Sequence, residues 1–170
     1  EFEGKRPNIA TGTFVHPQAV IIGDVEIATG CFIAPGAVLR GDFGRIVVGE
    51  GSNIQDCCVI HSFPDETVML GPESHIGHGA VVHGAELARH VLIGMNAVVH
   101  DFARLGANSV VASGAVIPAR MEVPARHLVA GLPARVIREM SESELARWRS
   151  ATESYQELAR RYIKFYSLTE

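Results

Sequence analysis

Aliphatic residues recur every six positions along most of this chain. Counting from Val15 to Val129, with two insertions and one shortened unit, all nineteen repeat positions hold Leu, Ile or Val. A unit of about six residues holds one short strand and one turn, so three units close a triangular coil, and successive coils stack as parallel strands about 4.8 Å apart. A single coil cannot bury its own aliphatic residues, so the core forms only by stacking. The repeat therefore predicts an all-β solenoid.

Composition and charge narrow the classes of partner. With 170 residues, 47% of them hydrophobic and 20% charged, the chain is long and apolar enough for one globular core. Its net charge of −4 and the absence of a basic stripe predict no nucleic-acid partner. No apolar stretch reaches the roughly 20 residues of a membrane span, so no membrane partner is predicted. Three cysteines, with Cys57 and Cys58 adjacent, do not form a disulfide framework, so a cytoplasmic location is expected.

The C-terminal segment has a different pattern. Ser141 to Glu144 has the Ser-x-x-Glu form of a capping box, and apolar residues then recur at steps of three and four. This pattern predicts one helix from about Ser141 to Phe165. We therefore divide the chain into a β-helix over residues 1–137 and a C-terminal helical segment over 138–170, which packs on the prism or braces an oligomer.

The repeat count places several histidines relative to one another. Units three apart lie on the same face, one coil apart, so Arg40, His61, His83 and His100 are predicted to form one outward-facing column. His16, His75 and His90 are expected on the surface, and His127 at a corner of the prism.

His78 follows Ile76 by two positions and therefore lies on another part of the coil. It cannot share a tetrahedral metal with His61 and His83 of the same chain, but a neighbouring copy could supply it. Three histidine nitrogens with a fourth position open is the pattern of catalytic zinc. The spacing thus suggests a trimer with metal sites at its interfaces, although eight histidines on a small prism could also stack by chance.

Several short strings resemble the γ-class carbonic anhydrase family of hexapeptide-repeat proteins. They are Arg40-Gly41-Asp42, Asn53-Ile54-Gln55-Asp56, Ile60-His61, Gly77-His78, His83-Gly84 and Gly94-Met95-Asn96-Ala97-Val98. The resemblance is greatest to the bacterial branch that includes PaaY and CaiE, and it spans about Phe14 to Glu157. It implies a left-handed parallel β-helix, a homotrimer and a bound Zn²⁺, with Fe²⁺ or Co²⁺ as alternatives.

The resemblance also implies residue roles. His61, His78 and His83 match the metal ligands, and Arg40 and Asp42 match a salt bridge between subunits. Gln55 matches the group that orients metal-bound water or bicarbonate, and Asn53 and Asp56 complete that polar shell.

Two departures from the family pattern concern proton transfer. The family's acidic loop is shortened to Ser62-Phe63-Pro64-Asp65-Glu66, and Phe43 stands where the family has a glutamate. Both departures count against fast CO₂ hydration. We hypothesise that His100, one coil beyond His83, carries the proton instead, because an imidazole titrates near neutral pH.

Four functions are compatible with these features. The first is a lyase in which metal-bound hydroxide attacks CO₂ to give bicarbonate. The second is an acyl-CoA thioesterase of the PaaY type. The third is a CoA-dependent acyltransferase, and the fourth is a non-enzymatic scaffold, against which the retention of all three histidines argues.

Overall fold

The computed structural model describes residues 1–166. Within that range the chain forms short strands followed by one long helix. The strands are β1 Asn8–Ile9, β2 Phe14–Val15, β3 Val20–Ile27, β4 Phe32–Ile33, β5 Val38–Val48, β6 Asn53–Ile54, β7 Val59–His61, β8 Thr67–Leu70, β9 His75–Ile76, β10 Val81–His83, β11 Glu86–Leu87, β12 Leu92–Ile93, β13 Val98–Val99, β14 Arg104–Leu105, β15 Val110–Val111, β16 Val116–Ile117, β17 Glu122–Val123, β18 His127–Gly131 and β19 Ala134–Glu139. The helix is α1, Glu142–Tyr166.

The strands stack in parallel as three faces of a prism. The first face runs β2, β4, β6, β9, β12, β15 and β18; the second runs from the start of β5 through β7, β10, β13 and β16. The third runs from the end of β5 through β8, β11, β14 and β17. The chain is a left-handed parallel β-helix of about seven turns, as predicted.

Burial confirms the six-residue repeat. Seventeen of the nineteen repeat positions are buried, and the other two, Val15 and Ile21, are partly buried against the same core near the N-terminal end. Each fully buried Leu, Ile or Val contributes roughly 1.5–3 kcal/mol of hydrophobic stabilisation. The stacked aliphatic residues therefore form one continuous core along the prism axis.

Two glycines allow β3 and β5 to turn a corner together. A Cβ on Gly23, whose φ is +76°, would lie 2.2 Å from the carbonyl oxygen of Gly41, and a Cβ on Gly41 would lie 2.5 Å from that of Asp24. Only glycine permits so close an approach. The turn directs the residue after Gly41, Asp42, towards the second face.

The C-terminal helix begins at the predicted capping box. Ser141 caps α1: its backbone N–H donates to Glu144 Oε2 at 2.9 Å, and the Glu144 N–H donates to Ser141 Oγ at 3.3 Å. Strand β19, which pairs antiparallel with β18, extends the strand region beyond the predicted boundary at residue 137. Residues 167–170 of the predicted helical segment lie outside the described residues.

Helix α1 packs along the first face. Its residues Leu145 and Trp148 pack with Leu92 and Val110, and further along Ala159 packs with two phenylalanines near the N-terminal end of the prism. In the part of the chain that the structure describes, no helix combines the length and the apolar character needed to cross a bilayer.

Candidate metal centre

Strand register brings two of the predicted ligands together. Arg40 in β5 pairs with His61 in β7, and His61 pairs with His83 in β10. His61 Nδ1 lies 3.0 Å from His83 Nε2. The register aligns Arg40, His61 and His83 as predicted, and Val99, which precedes His100, pairs with Val82.

The other nitrogen of each ring contacts a carboxylate. Asp42 Oδ1 lies 3.1 Å from His61 Nε2, and Asp101 Oδ1 is hydrogen-bonded to His83 Nδ1. Carboxylates in this position fix the ring orientation and the tautomer of metal-binding histidines. They leave His61 Nδ1 and His83 Nε2 directed at each other.

This nitrogen pair fits a divalent metal such as zinc. Zinc binds histidine nitrogen at 2.0–2.1 Å, so two ligands of a tetrahedral site lie roughly 3.3 Å apart. The observed 3.0 Å between the two nitrogens is close to that value. Among residues 1–166, no three His, Cys, Asp or Glu side chains are grouped so that they could hold a metal ion. One chain thus brings together two imidazole nitrogens at a separation that suits two ligands of one metal ion.

The salt bridge of Arg40 and Asp42 forms within one chain. Arg40 Nη1 donates to Asp42 Oδ2 at 2.7 Å, whereas the family resemblance implied a salt bridge between subunits. The two residues are two positions apart in β5, which places their side chains on the same side of the strand. Asp42 thereby contacts both Arg40 and His61.

The surroundings of these residues lower the pKa values of His61 and Asp42. Burial lowers the pKa of His61, and the charges of Arg40 and His83 lower it further, against an opposing hydrogen bond to Asp42. Burial alone would raise the pKa of Asp42, but hydrogen bonds from Arg40 and His61 outweigh that effect and lower it. His61 is therefore neutral, and free to bind a metal, at neutral pH.

His78 lies at the other end of the second face. It follows β9 and precedes β10, whereas His83 is the last residue of β10. His78 Nδ1 is hydrogen-bonded to Asp56 Oδ2 at 2.7 Å, and both side chains are 47% exposed. Asp56, which the family resemblance assigns to the polar shell around Gln55, contacts His78 in this structure.

Gln55 and Asn53 are buried beneath α1. Gln55 Nε2 donates to Asn53 Oδ1 at 3.0 Å and lies 2.7 Å from His75 Nε2. The His75 ring meets Tyr155 of α1 edge-on at 5.4 Å. Gln55 and Asn53 thus lie with His75 on the first face, and the pair formed by His61 and His83 lies at the end of the second.

Two histidines expected at the surface are not there. His75 is partly buried, and desolvation lowers its pKa to about 4; His90 is only 9% exposed. Desolvation likewise lowers the pKa of His90. The prediction was wrong because the repeat does not show which parts of the prism are covered.

Phenylalanines surround the histidine pair. Phe43 is 57% exposed and its ring centroid lies 5.5 Å from that of His61. Phe63 lies 5.0 Å from His83 and stacks on Phe102 at 6.0 Å. The rings of Phe43 and Phe63 therefore give the pair apolar neighbours in addition to the carboxylates of Asp42 and Asp101.

Asp101 and Phe102 were missed by the sequence analysis. His100, for which a role in proton transfer is hypothesised, is exposed, and Asp101 is the residue that reaches His83. A signal was available: Asp101 lies one coil above Gly84, and a Cβ on Gly84 would approach Asp101 Oδ1 to 3.1 Å. Counting one residue beyond His100 in the predicted column would have placed Asp101 near His83.

Comparison with known proteins identifies similar chains. The family model for bacterial transferase hexapeptide (six repeats) matches residues 6–41 and 84–119. The carnitine operon protein CaiE of Escherichia coli K12 is 44% identical over 160 residues, covering 94% of this chain and 82% of that protein. CaiE of Salmonella agona is also 44% identical, covering 93% and 80%.

Solved structures agree in fold. A hexapeptide transferase family protein from Anaplasma phagocytophilum has a TM-score of 0.91 and 35% identity, with 95% of each chain covered. A Bacillus cereus protein named as a candidate acetyltransferase has a TM-score of 0.94 and 27% identity, with 96% of each chain covered.

Proposed function

This chain belongs to the hexapeptide-repeat family, in the γ-class carbonic anhydrase-like branch that includes CaiE, and we propose that it is a metal-dependent enzyme of that branch. The observation that carries the proposal is the pair of imidazole nitrogens 3.0 Å apart, each on a ring whose other nitrogen contacts a carboxylate. A structural scaffold does not need such a pair.

His61 and His83 of one chain, with His78 of a neighbouring copy, would hold the metal. Zn²⁺ is the first candidate, and Fe²⁺ and Co²⁺ also suit imidazole ligands. When bound, the metal lowers the pKa of water so that a nucleophile is available near neutral pH. The trimer would thus contain its metal sites at the subunit interfaces.

The first reaction we propose is the hydration of CO₂. Water adds to the carbon, and the products are bicarbonate and a proton. Gln55 orients the attacking water by accepting a hydrogen bond through its amide oxygen, because Asn53 and His75 hold its amide nitrogen. Arg40 and Asp42 hold His61 in place.

A second candidate reaction is hydrolysis of an acyl-CoA thioester. Water adds to the carbonyl carbon, the C–S bond breaks, and the products are a carboxylic acid and a thiol. The phenyl rings of Phe43 and Phe63 favour this candidate over fast CO₂ hydration, because they lie beside the two histidines and cannot carry a proton away. The acetyltransferase name of the Bacillus cereus protein makes acyl transfer a third alternative, which needs no metal.

Removal of one ligand tests the proposal. We expect His83→Ala to lose both bound metal and CO₂ hydration, because His61 is then the only imidazole left at the pair. His127→Ala is the matched control, since His127 lies in β18, away from the pair, and its ring is hydrogen-bonded to the carbonyl of Ala125. Metal content by mass spectrometry and stopped-flow hydration are measured on anaerobically purified protein. A His83→Ala protein with the parent's metal content and rate would contradict the proposal.

A further inference from the structure

An apolar cleft lies between α1 and the first face. It has a volume of about 360 Å³, and its apolar lining includes Leu92, Val110, Leu128, Trp148 and Tyr155. Leu92, Val110 and Leu128 are contributed by successive coils, and Trp148 and Tyr155 by the helix. The helix therefore leaves part of the first face uncovered and forms the second wall of the cleft.

One end of the cleft is polar. Gln55, His75 and His78 also line it. Gln55 and His78 are the residues proposed to orient the reacting oxygen and to complete the metal site. The apolar cleft is thus continuous with the half of the site that this chain would present to a neighbouring copy.

We propose that this cleft binds the apolar acyl group of a thioester substrate, with the carbonyl placed at the end formed by Gln55 and His78. This inference rests on the proposed function, and within it on the second candidate reaction. A concave apolar pocket with a few polar groups at one end is the usual form of a small-molecule site.

The size and character of the cleft favour an acyl group over CO₂. A water molecule takes about 30 Å³ of liquid volume, so the cleft of about 360 Å³ has room for a chain of several carbon atoms. CO₂ has only three heavy atoms and would leave most of this apolar wall exposed to water. Filling the cleft with an acyl chain removes apolar surface of both partners from water.

Trp148 makes the cleft observable by fluorescence. It is the only tryptophan in the chain, and it lines the cleft. We would titrate the protein with S-hexyl-CoA and S-methyl-CoA, thioethers that cannot be hydrolysed, and follow Trp148 emission. We expect S-hexyl-CoA to change the emission and to bind at least tenfold more tightly than S-methyl-CoA.

A blocking variant and a matched control locate the binding. Ala112 lines the cleft and directly follows the repeat position Val111, and Ala88 follows Leu87 in the same way on the third face. Ala112→Phe should lose at least tenfold in S-hexyl-CoA affinity, whereas Ala88→Phe should retain it. Circular dichroism checks that both variants fold, and the comparison of the two ligands on the parent protein does not depend on either variant.

The possible results test acyl binding in the cleft and the proposed metal-dependent function independently. Equal affinity for the two thioethers, or equal binding by the Ala112→Phe and Ala88→Phe proteins, would overturn the cleft proposal while metal binding and hydration still stand. Tight, chain-length-dependent binding that Ala112→Phe abolishes would support it. If that binding occurred in a protein that takes up no metal, the proposed function would fail and the acyl site would remain.

Discussion

The hydrogen bond between Asp101 and His83 determines which ring nitrogen of His83 is available to a metal. A carboxylate accepts a hydrogen bond and cannot donate one, so it holds the proton on Nδ1 and leaves Nε2 as the electron-pair donor. Asp42 in the same way holds the proton of His61 on Nε2 and leaves Nδ1 as the electron-pair donor.

Removal of the Asp101 carboxylate tests this role. We expect Asp101→Ala to weaken metal affinity by about 10- to 100-fold, the usual effect of losing such a carboxylate, without loss of the fold. Glu122→Ala is the control, because Glu122 is an exposed carboxylate on the third face. Competition with a chromophoric chelator gives the affinity, and nitrogen NMR of the histidines in the metal-free protein gives the tautomer. Unchanged affinity together with an unchanged His83 tautomer would show that Asp101 has no positioning role.

His75 makes the stability of the fold depend on pH. Burial lowers its pKa to about 4, against about 6.5 in the unfolded chain. The unfolded state therefore binds more protons between these values, so stability is complete above pH 6.5 and is lost as the pH falls towards 4.

A neutral replacement of His75 tests that dependence. The shift corresponds to a decrease of about 3 kcal/mol in the free energy of unfolding between pH 7 and pH 4. Over the same pH range, the free energy of unfolding of the His75→Gln protein should fall by about 3 kcal/mol less than that of the parent, because glutamine does not titrate. Urea unfolding at fixed protein concentration measures both proteins. Parallel pH profiles for parent and variant would rule out His75 as the cause.

At the scale of elements, the cap of α1 is the contact most clearly predicted from the sequence. Ser141 and Glu144 make the reciprocal hydrogen bonds of a capping box, and Arg138 also bonds Glu144 Oε1 at 2.7 Å. These hydrogen bonds with Arg138 and Ser141 lower the pKa of Glu144 to about 2. The start of the helix is therefore fixed by Ser141 and by Arg138 near the end of β19.

Loss of the cap should destabilise the helix measurably. We expect Ser141→Ala to lower the free energy of unfolding by about 1 kcal/mol, because the Glu144 N–H loses its partner. Ser154→Ala is the control, since Ser154 Oγ only bonds back to the carbonyl of Ser150 within the helix. Urea unfolding followed by circular dichroism gives both values. A Ser141→Ala protein as stable as the Ser154→Ala protein would contradict the capping role.

Elements with a regular pattern were predictable from the sequence, and contacts between them were not. The period of six identified the strands and the inward positions such as Ile60 and Val82, and it placed His61 beside His83. It did not show where α1 would pack, and the surface assignments of His75 and His90 failed for that reason. Strand β19 was missed because its antiparallel pairing with β18 lies outside the repeat.

At the scale of the whole molecule, one chain presents two incomplete halves of the proposed site. One half is His61 and His83 with Asp42 and Asp101 at the end of the second face. The other is His78 with Asp56, at the turn that precedes the same face's strand β10. Two different surfaces that meet between copies make a heterologous interface, which closes as a ring when the rotation allows it. A ring of three would contain three complete sites.

Complementation between two variants tests this account most directly. His78→Ala chains retain His61 and His83, and His83→Ala chains retain His78, so neither protein alone should bind metal tightly. Co-expression of the two should restore metal to about a quarter of the sites in randomly mixed rings. A site is complete only where a His78→Ala chain supplies His61 and His83 and the adjacent chain that supplies the third ligand is a His83→Ala chain. Metal content of the purified mixed trimer, compared with each variant alone, gives the answer. Metal binding restored to that fraction is the predicted result, and a mixture that binds no more metal than the separate variants would contradict the shared site.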